Sequence, residues 1–184
     1  MQQLQLRQYA PIYLLMGEES YYIDKIVEFM ENNIIDESVR EFNQIVHYGN
    51  DKTDAKVDLV SAVINEARRY PMMGDKQLIL LKECQNLDKK NVFDKLALYL
   101  ENCQTTSIIV LTYKHGTADR RKKWVQAIEK VGVVFESKKL YENCEAEGVE
   151  EVLIENGTHG RNTDADKEAY WTNIDAFILN NIGI

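Results

Sequence analysis

The residues best placed to do chemistry follow the first apolar run. Gly17-Glu18-Glu19-Ser20-Tyr21-Tyr22-Ile23-Asp24-Lys25 has the layout of a loop that cradles phosphate before a helix. Such a loop needs G-x-x-x-x-G-K-[ST], because backbone amides hold the phosphates while a lysine and a hydroxyl complete charge neutralisation. Here one glycine is present and no Gly-Lys-Ser or Gly-Lys-Thr occurs anywhere. Glu18 and Glu19 would repel a polyphosphate, and a G-x-G-x-x-G dinucleotide fingerprint is also absent. The loop is therefore read as a turn at Gly17 and a helix capped by Ser20, with acidic residues at the positive end of the helix.

Other candidates for catalysis are thinner. His159, in Gly157-Thr158-His159-Gly160, would need a nucleophile on a G-x-S-x-G turn, and the sequence has none. His47, His115 and His159 do not fall at metal-ligand spacing with one another or with Cys84, Cys103 and Cys144, so no metal site and no cofactor are expected. An odd number of cysteines without Cys-x-x-Cys spacing points to a reduced, cytoplasmic setting.

Two groups suit binding instead. Met72 and Met73 lie between Pro71 and Gly74. Adjacent unbranched thioethers adapt to a partner's pocket, and an exposed apolar pair marks an interface. The alternative, core packing beside the following strand, stays open on the residues alone. Lys114, His115 and the run Arg120-Arg121-Lys122-Lys123 form the dense basic patch. It could meet DNA phosphates, but a solvated helix start with Asp119 as cap is the preferred reading of the residues alone. Trp124 is read as a core anchor rather than a base-stacking platform.

The elements that must position these residues alternate strictly. Short apolar runs at Ile12–Met16, Phe42–Tyr48, Gln77–Lys82, Ser107–Thr112 and Val133–Glu136 predict five strands. Between them, helical spacing predicts helices over Ser20–Asn32, Asp54–Arg69, Asn91–Glu101 and Asp119–Val131. Tyr70, preceding Pro71, is biased away from helix and stops the second of these. The βαβα order predicts an α/β fold with a parallel sheet covered by helices on both faces.

At 184 residues and 45% hydrophobic, the chain suits one domain, or one domain with a small appendage. No apolar run reaches membrane-spanning length, and MQQLQLRQYA has no apolar h-region, so neither a membrane segment nor a signal peptide is expected. Residues 1–140 hold 20 Lys+Arg and 20 Asp+Glu, whereas 141–184 hold 2 and 10, which is the whole net charge of −8. A boundary near Leu140 is expected, with an acidic tail at 141–184 that carries a strand at Val149–Glu155 and a helix at Lys167–Asn180.

With these residues in view, Pro11-Ile12-Tyr13-Leu14-Leu15-Met16-Gly17-Glu18-Glu19 resembles the opening of the delta subunit of bacterial DNA polymerase III, a clamp-loader subunit. Phe42-Asn43 at the start of the second strand agrees. So does Ala67-Arg68-Arg69-Tyr70-Pro71-Met72-Met73-Gly74-Asp75-Lys76-Gln77-Leu78, and so does Asp119–Lys123 followed by Val133-Val134-Phe135-Glu136. The resemblance covers roughly residues 9–140. It implies a P-loop NTPase-like (AAA+) fold with a degenerate phosphate loop and no ATPase activity. It further implies a role in DNA replication and, as partners, the sliding clamp (beta subunit) and the other loader subunits.

On the resemblance, Met72 and Met73 match the apolar wedge that enters the clamp, with Tyr70 and Pro71 positioning them, and Lys114, Arg120, Arg121, Lys122 and Lys123 are candidate DNA contacts. Residues 141–184 depart from the family: they are too short for its helical lid and collar. Val149–Gly160 followed by Tyr170–Asn180 is instead similar in outline to the last strand, histidine loop and helix of an α/β-hydrolase. The alternative reading is therefore a fragment of a nucleotide-binding or hydrolase-related α/β enzyme.

Overall fold

Five strands form one sheet in the computed structural model, which describes residues 9–50, 58–87 and 92–138. They are β1 (Ile12–Gly17), β2 (Gln44–Tyr48), β3 (Gln77–Lys82), β4 (Ser107–Lys114) and β5 (Val133–Ser137), in the order β2-β3-β4-β1-β5. Every pairing is parallel, with Ile12 opposite Ile109, Leu14 opposite Val134, Ile79 opposite Ile109 and Ile45 opposite Ile79. All six residues of β1 are buried, as a strand between two parallel neighbours and beneath helices requires.

The helices are α1 (Ser20–Asn33), α2 (Arg40–Asn43), α3 (Leu59–Ala67), α4 (Asp94–Leu100) and α5 (Lys123–Val131). Successive strand residues point to opposite faces. Ile12, Leu14, Met16, Ile79, Leu81, Ile109 and Leu111 join one core with the apolar residues of α3, α4 and α5. Trp124 of α5 stacks on Phe93 there, 4.7 Å between ring centroids, as the core anchor expected. The alternate residues, among them Tyr13, Leu15, Leu80 and Val110, are equally buried. They face the other way, where α1 brings Ile23, Ile26, Val27 and Met30.

Several boundaries differ from the sequence reading, each for a local reason. Phe42 and Asn43 do not begin β2. They end α2, which follows a short 3-10 turn (Glu37–Val39) that Asp36 caps by accepting from the Ser38 amide at 2.9 Å. Ser20 is the first residue of α1 and not its cap; Glu19 fills that role, accepting from the Tyr21 amide at 3.1 Å.

Asp58 caps α3 through Ser61, and the helix ends at Ala67 rather than Arg69. Asp119 does not cap α5. It closes a turn onto the Arg121 amide, so α5 begins only at Lys123. Helix α4 begins at Asp94. Asp54 and Asn91, the expected tail strand and helix, His159 and Cys144 lie outside the described residues.

Candidate functional site: an apolar tip at the amino-terminal edge of the sheet

In a parallel sheet all strands end at one edge, and the crevice beyond those ends is the usual ligand site. Here Gly17 and the loop after β4 meet at that edge. The Gly17 amide donates to the Gly116 carbonyl at 2.9 Å, and the Gly116 amide returns the bond to the Gly17 carbonyl at 3.2 Å. The Glu18 amide donates to the Ser137 carbonyl at 3.1 Å, and the Ser137 hydroxyl donates to the Glu19 carbonyl at 2.6 Å. A phosphate cradle needs free, convergent amides. The amides of Gly17, Glu18 and Tyr21 are already committed to the protein's own oxygens.

The predicted basic residues sit near this edge, and most have carboxylate partners. Lys114 pairs with Asp24 at 2.5 Å, and Arg120 bridges Glu129 at 3.1 Å and Glu136 at 2.8 Å. Arg121 forks onto Asp119 and holds that carboxyl down at about 2. Lys122 precedes α5, and Lys123, its first residue, lines a shallow groove between α4 and α5. His115, in a left-handed conformation, places Nδ1 3.3 Å from the Ser20 hydroxyl, while His47 meets Glu66 at 2.8 Å. Among the described residues no three His, Cys, Asp or Glu side chains gather where they would hold a metal.

The opposite edge carries Tyr70–Gly74, about 20 Å away along the strand direction by the rise of a six-residue strand. Met72 is 75% exposed, Met73 61% and Tyr70 74%. Core packing is thereby removed as an account of the methionines. Four exposed or half-exposed positions in a row, Tyr70 to Met73, form an apolar tip, whereas the other apolar side chains among the described residues are largely inside.

The base of the tip is held firmly. Gln77, buried at the start of β3, directs its amide nitrogen at the Glu66 and Arg69 carbonyls, at 3.0 and 2.7 Å, and at the Ser107 hydroxyl, at 2.7 Å. The Ser107 hydroxyl donates to the Ala67 carbonyl at 2.7 Å, and the Tyr99 hydroxyl reaches the same oxygen at 3.3 Å. Carbonyls at the end of α3 are thus bonded by side chains from β3, β4 and α4, and the Glu66 carbonyl also accepts the Arg69 amide at 2.9 Å.

One neighbour of the tip escaped the sequence reading. Asn43 is buried and hydrogen-bonds the backbone of both methionines. It comes from a segment some thirty residues earlier, next to Phe42, which is 51% exposed. The signal available was Phe-Asn directly before a strand, an order that reads as strand until α2 is known. Gly74 closes the tip at φ +152°, a conformation that residues with a Cβ seldom adopt.

Comparison with known proteins agrees with this framework. The family model for the DNA polymerase III delta subunit matches residues 13–138. The DNA polymerase III subunit delta of Bacillus subtilis is 26% identical over 137 residues, which is 71% of this chain and 38% of that protein. The solved structure of the Bacillus subtilis DNA clamp loader delta protein superposes with a TM-score of 0.61 at 24% identity, covering 74% of this chain and 41% of that one. The chain thus spans about two fifths of the length of these relatives. With the family model matching more than half of its length, over a parallel five-stranded α/β domain of the same fold, the chain belongs to the DNA polymerase III delta subunit family.

Proposed function

We propose that this chain is a clamp-engaging domain of the delta type, acting in DNA replication without hydrolysing ATP itself. It offers Met72 and Met73, set by Tyr70 and Pro71, to the sliding clamp and favours the clamp's open form. The observation that carries the reading is the exposed methionine pair on a rigid base. A ligand shifts an equilibrium only by its differential affinity, so the tip must fit the opened interface better than the closed one. DNA phosphates would have to compete with the carboxylates that hold Arg120 and Arg121, which makes the clamp the partner favoured by the geometry.

The test is binding to the sliding clamp from the same source. Wild type binds. Met72→Ser with Met73→Ser loses on the order of 2 kcal/mol or more for each buried anchor, and equal binding by the two proteins overturns the proposal. The enzyme alternative is tested by thermal shift with ATP and Mg²⁺. A bound nucleotide raises the melting temperature by mass action. No rise is expected, because the loop amides at Gly17 and Glu18 are taken.

A further inference from the structure

We propose that Asn43 is the positioning residue of the apolar tip, setting the direction in which Met72 and Met73 project. The proposal rests on the clamp-binding reading of that pair. The side chain of Asn43 is 1% exposed and comes from α2, far from the tip in sequence. Its Oδ1 accepts the Met72 amide at 2.9 Å, and its Nδ2 donates to the Met73 carbonyl at 3.3 Å. One primary amide therefore holds a donor and an acceptor on consecutive residues, as a neighbouring strand would.

The two methionine side chains are too exposed for packing to orient them. Their direction follows the backbone, and Asn43 grips that backbone on either side of the two Cα atoms, at the Met72 amide and the Met73 carbonyl. Gly74 turns the chain immediately afterwards, with Asn43 Nδ2 and a Val39 methyl the nearest atoms to where its Cβ would lie, at 3.6 and 3.7 Å.

The chemistry is specific to asparagine. Aspartate keeps the acceptor for Met72 but sets a second oxygen against the Met73 carbonyl. Glutamine is one methylene too long, and alanine leaves both backbone groups without this partner. The end of α3 is held separately, by Gln77, Ser107 and Tyr99. Loss of the Asn43 bonds therefore frees the tip without releasing the helix behind it. A freed tip has to be ordered again on binding, and that cost appears as lost affinity.

The experiment uses the full chain with Asn43→Ala and Asn43→Asp, measuring clamp affinity and residue-resolved amide hydrogen exchange. Both variants should bind the clamp roughly tenfold more weakly, equivalent to about 1.4 kcal/mol. The Met72 amide should lose protection in Asn43→Ala while Leu78–Leu81 of β3 stay protected. Unchanged Met72 exchange or unchanged affinity overturns the proposal. So does loss of β3 protection in both variants, which would make Asn43 a general fold residue. If wild type does not bind the clamp, or the double serine variant binds equally well, the clamp reading fails. The Met72 amide would still report whether Asn43 positions the tip.

Discussion

Replacing Gly17 by alanine separates two costs that usually travel together. Gly17 sits at φ +146°, and a Cβ there would lie 2.1 Å from the Ser137 carbonyl oxygen, 2.7 Å from its nitrogen and 2.8 Å from its carbonyl carbon. The backbone conformation alone costs about 1–3 kcal/mol for a residue with a Cβ. The clash adds more, because all three atoms are backbone of β5 and no side chain can swing aside. Relief requires β5 to move from β1, straining the Glu18–Ser137 hydrogen bond. Overpacking of this kind costs about 1–3 kcal/mol, and a weakened hydrogen bond about 1 kcal/mol.

The expected loss for Gly17→Ala is therefore about 3–7 kcal/mol. Gly74→Ala is the control: its φ of +152° is equally unfavourable, but the nearest atoms stand at ordinary contact distance, 3.6 and 3.7 Å. Only the conformational cost of about 1–3 kcal/mol applies there. Urea unfolding of both variants measures the difference directly from the midpoint and slope. In thermal melts each kcal/mol is worth about 2–4 °C for a chain of this length. Equal losses, or a larger loss for Gly74→Ala, would refute the argument that β5 closes over the old phosphate loop.

Trp124→Ala should cost about 3–5 kcal/mol, since a fully buried ring stacked on Phe93 leaves a large cavity; calorimetry checks this, and a loss under about 1 kcal/mol would mean that the ring is not where the core closes. Met72→Ser and Met73→Ser should each change stability by no more than about 0.5 kcal/mol, so any effect on clamp binding is separable from folding by the same melts. The Asp119 carboxyl should titrate at about 2 by NMR, because the Arg121 guanidinium bonds it, and should return towards 3.8 in Arg121→Ala. Its folded value lies below its unfolded one, so whatever it contributes is present above pH 3.8 and is lost as pH falls through about 2. Gln77→Glu should cost about 2–4 kcal/mol at pH 7, by turning a donor towards two carbonyls into an acceptor. Burial raises the new carboxyl's pKa, so the loss should shrink as pH falls, and a pH-independent loss would contradict the geometry.

Much of this domain is legible in the order of residue types. Runs such as IYLLM and SIIVLT are too short and too uniformly apolar for an amphipathic surface element, and they became β1 and β4 at the centre of the sheet. Apolar residues at helical spacing became the buried faces of α1, α3 and α5. The missing phosphate chemistry at Gly17 is likewise plain from residue types. What local sequence cannot carry is any property that depends on a partner far along the chain. Phe42 and Asn43 have strand-like neighbours, yet they end α2, which continues directly from the 3-10 turn that Asp36 caps.

The basic run looked available to phosphate until folding brought Glu129 and Glu136 to Arg120. The methionine pair satisfied two descriptions, core and surface, because hydrophobicity is the same in both. Only the path of the chain out of α3, pinned by Gln77 and Ser107, turns it to solvent. The amide of Asn43, some thirty residues earlier, reaches that tip only once α2 and β3 are assembled at the same edge of the sheet. Spacing along the chain determined which faces are apolar; the register of non-local contacts decided which apolar residues were left for a partner.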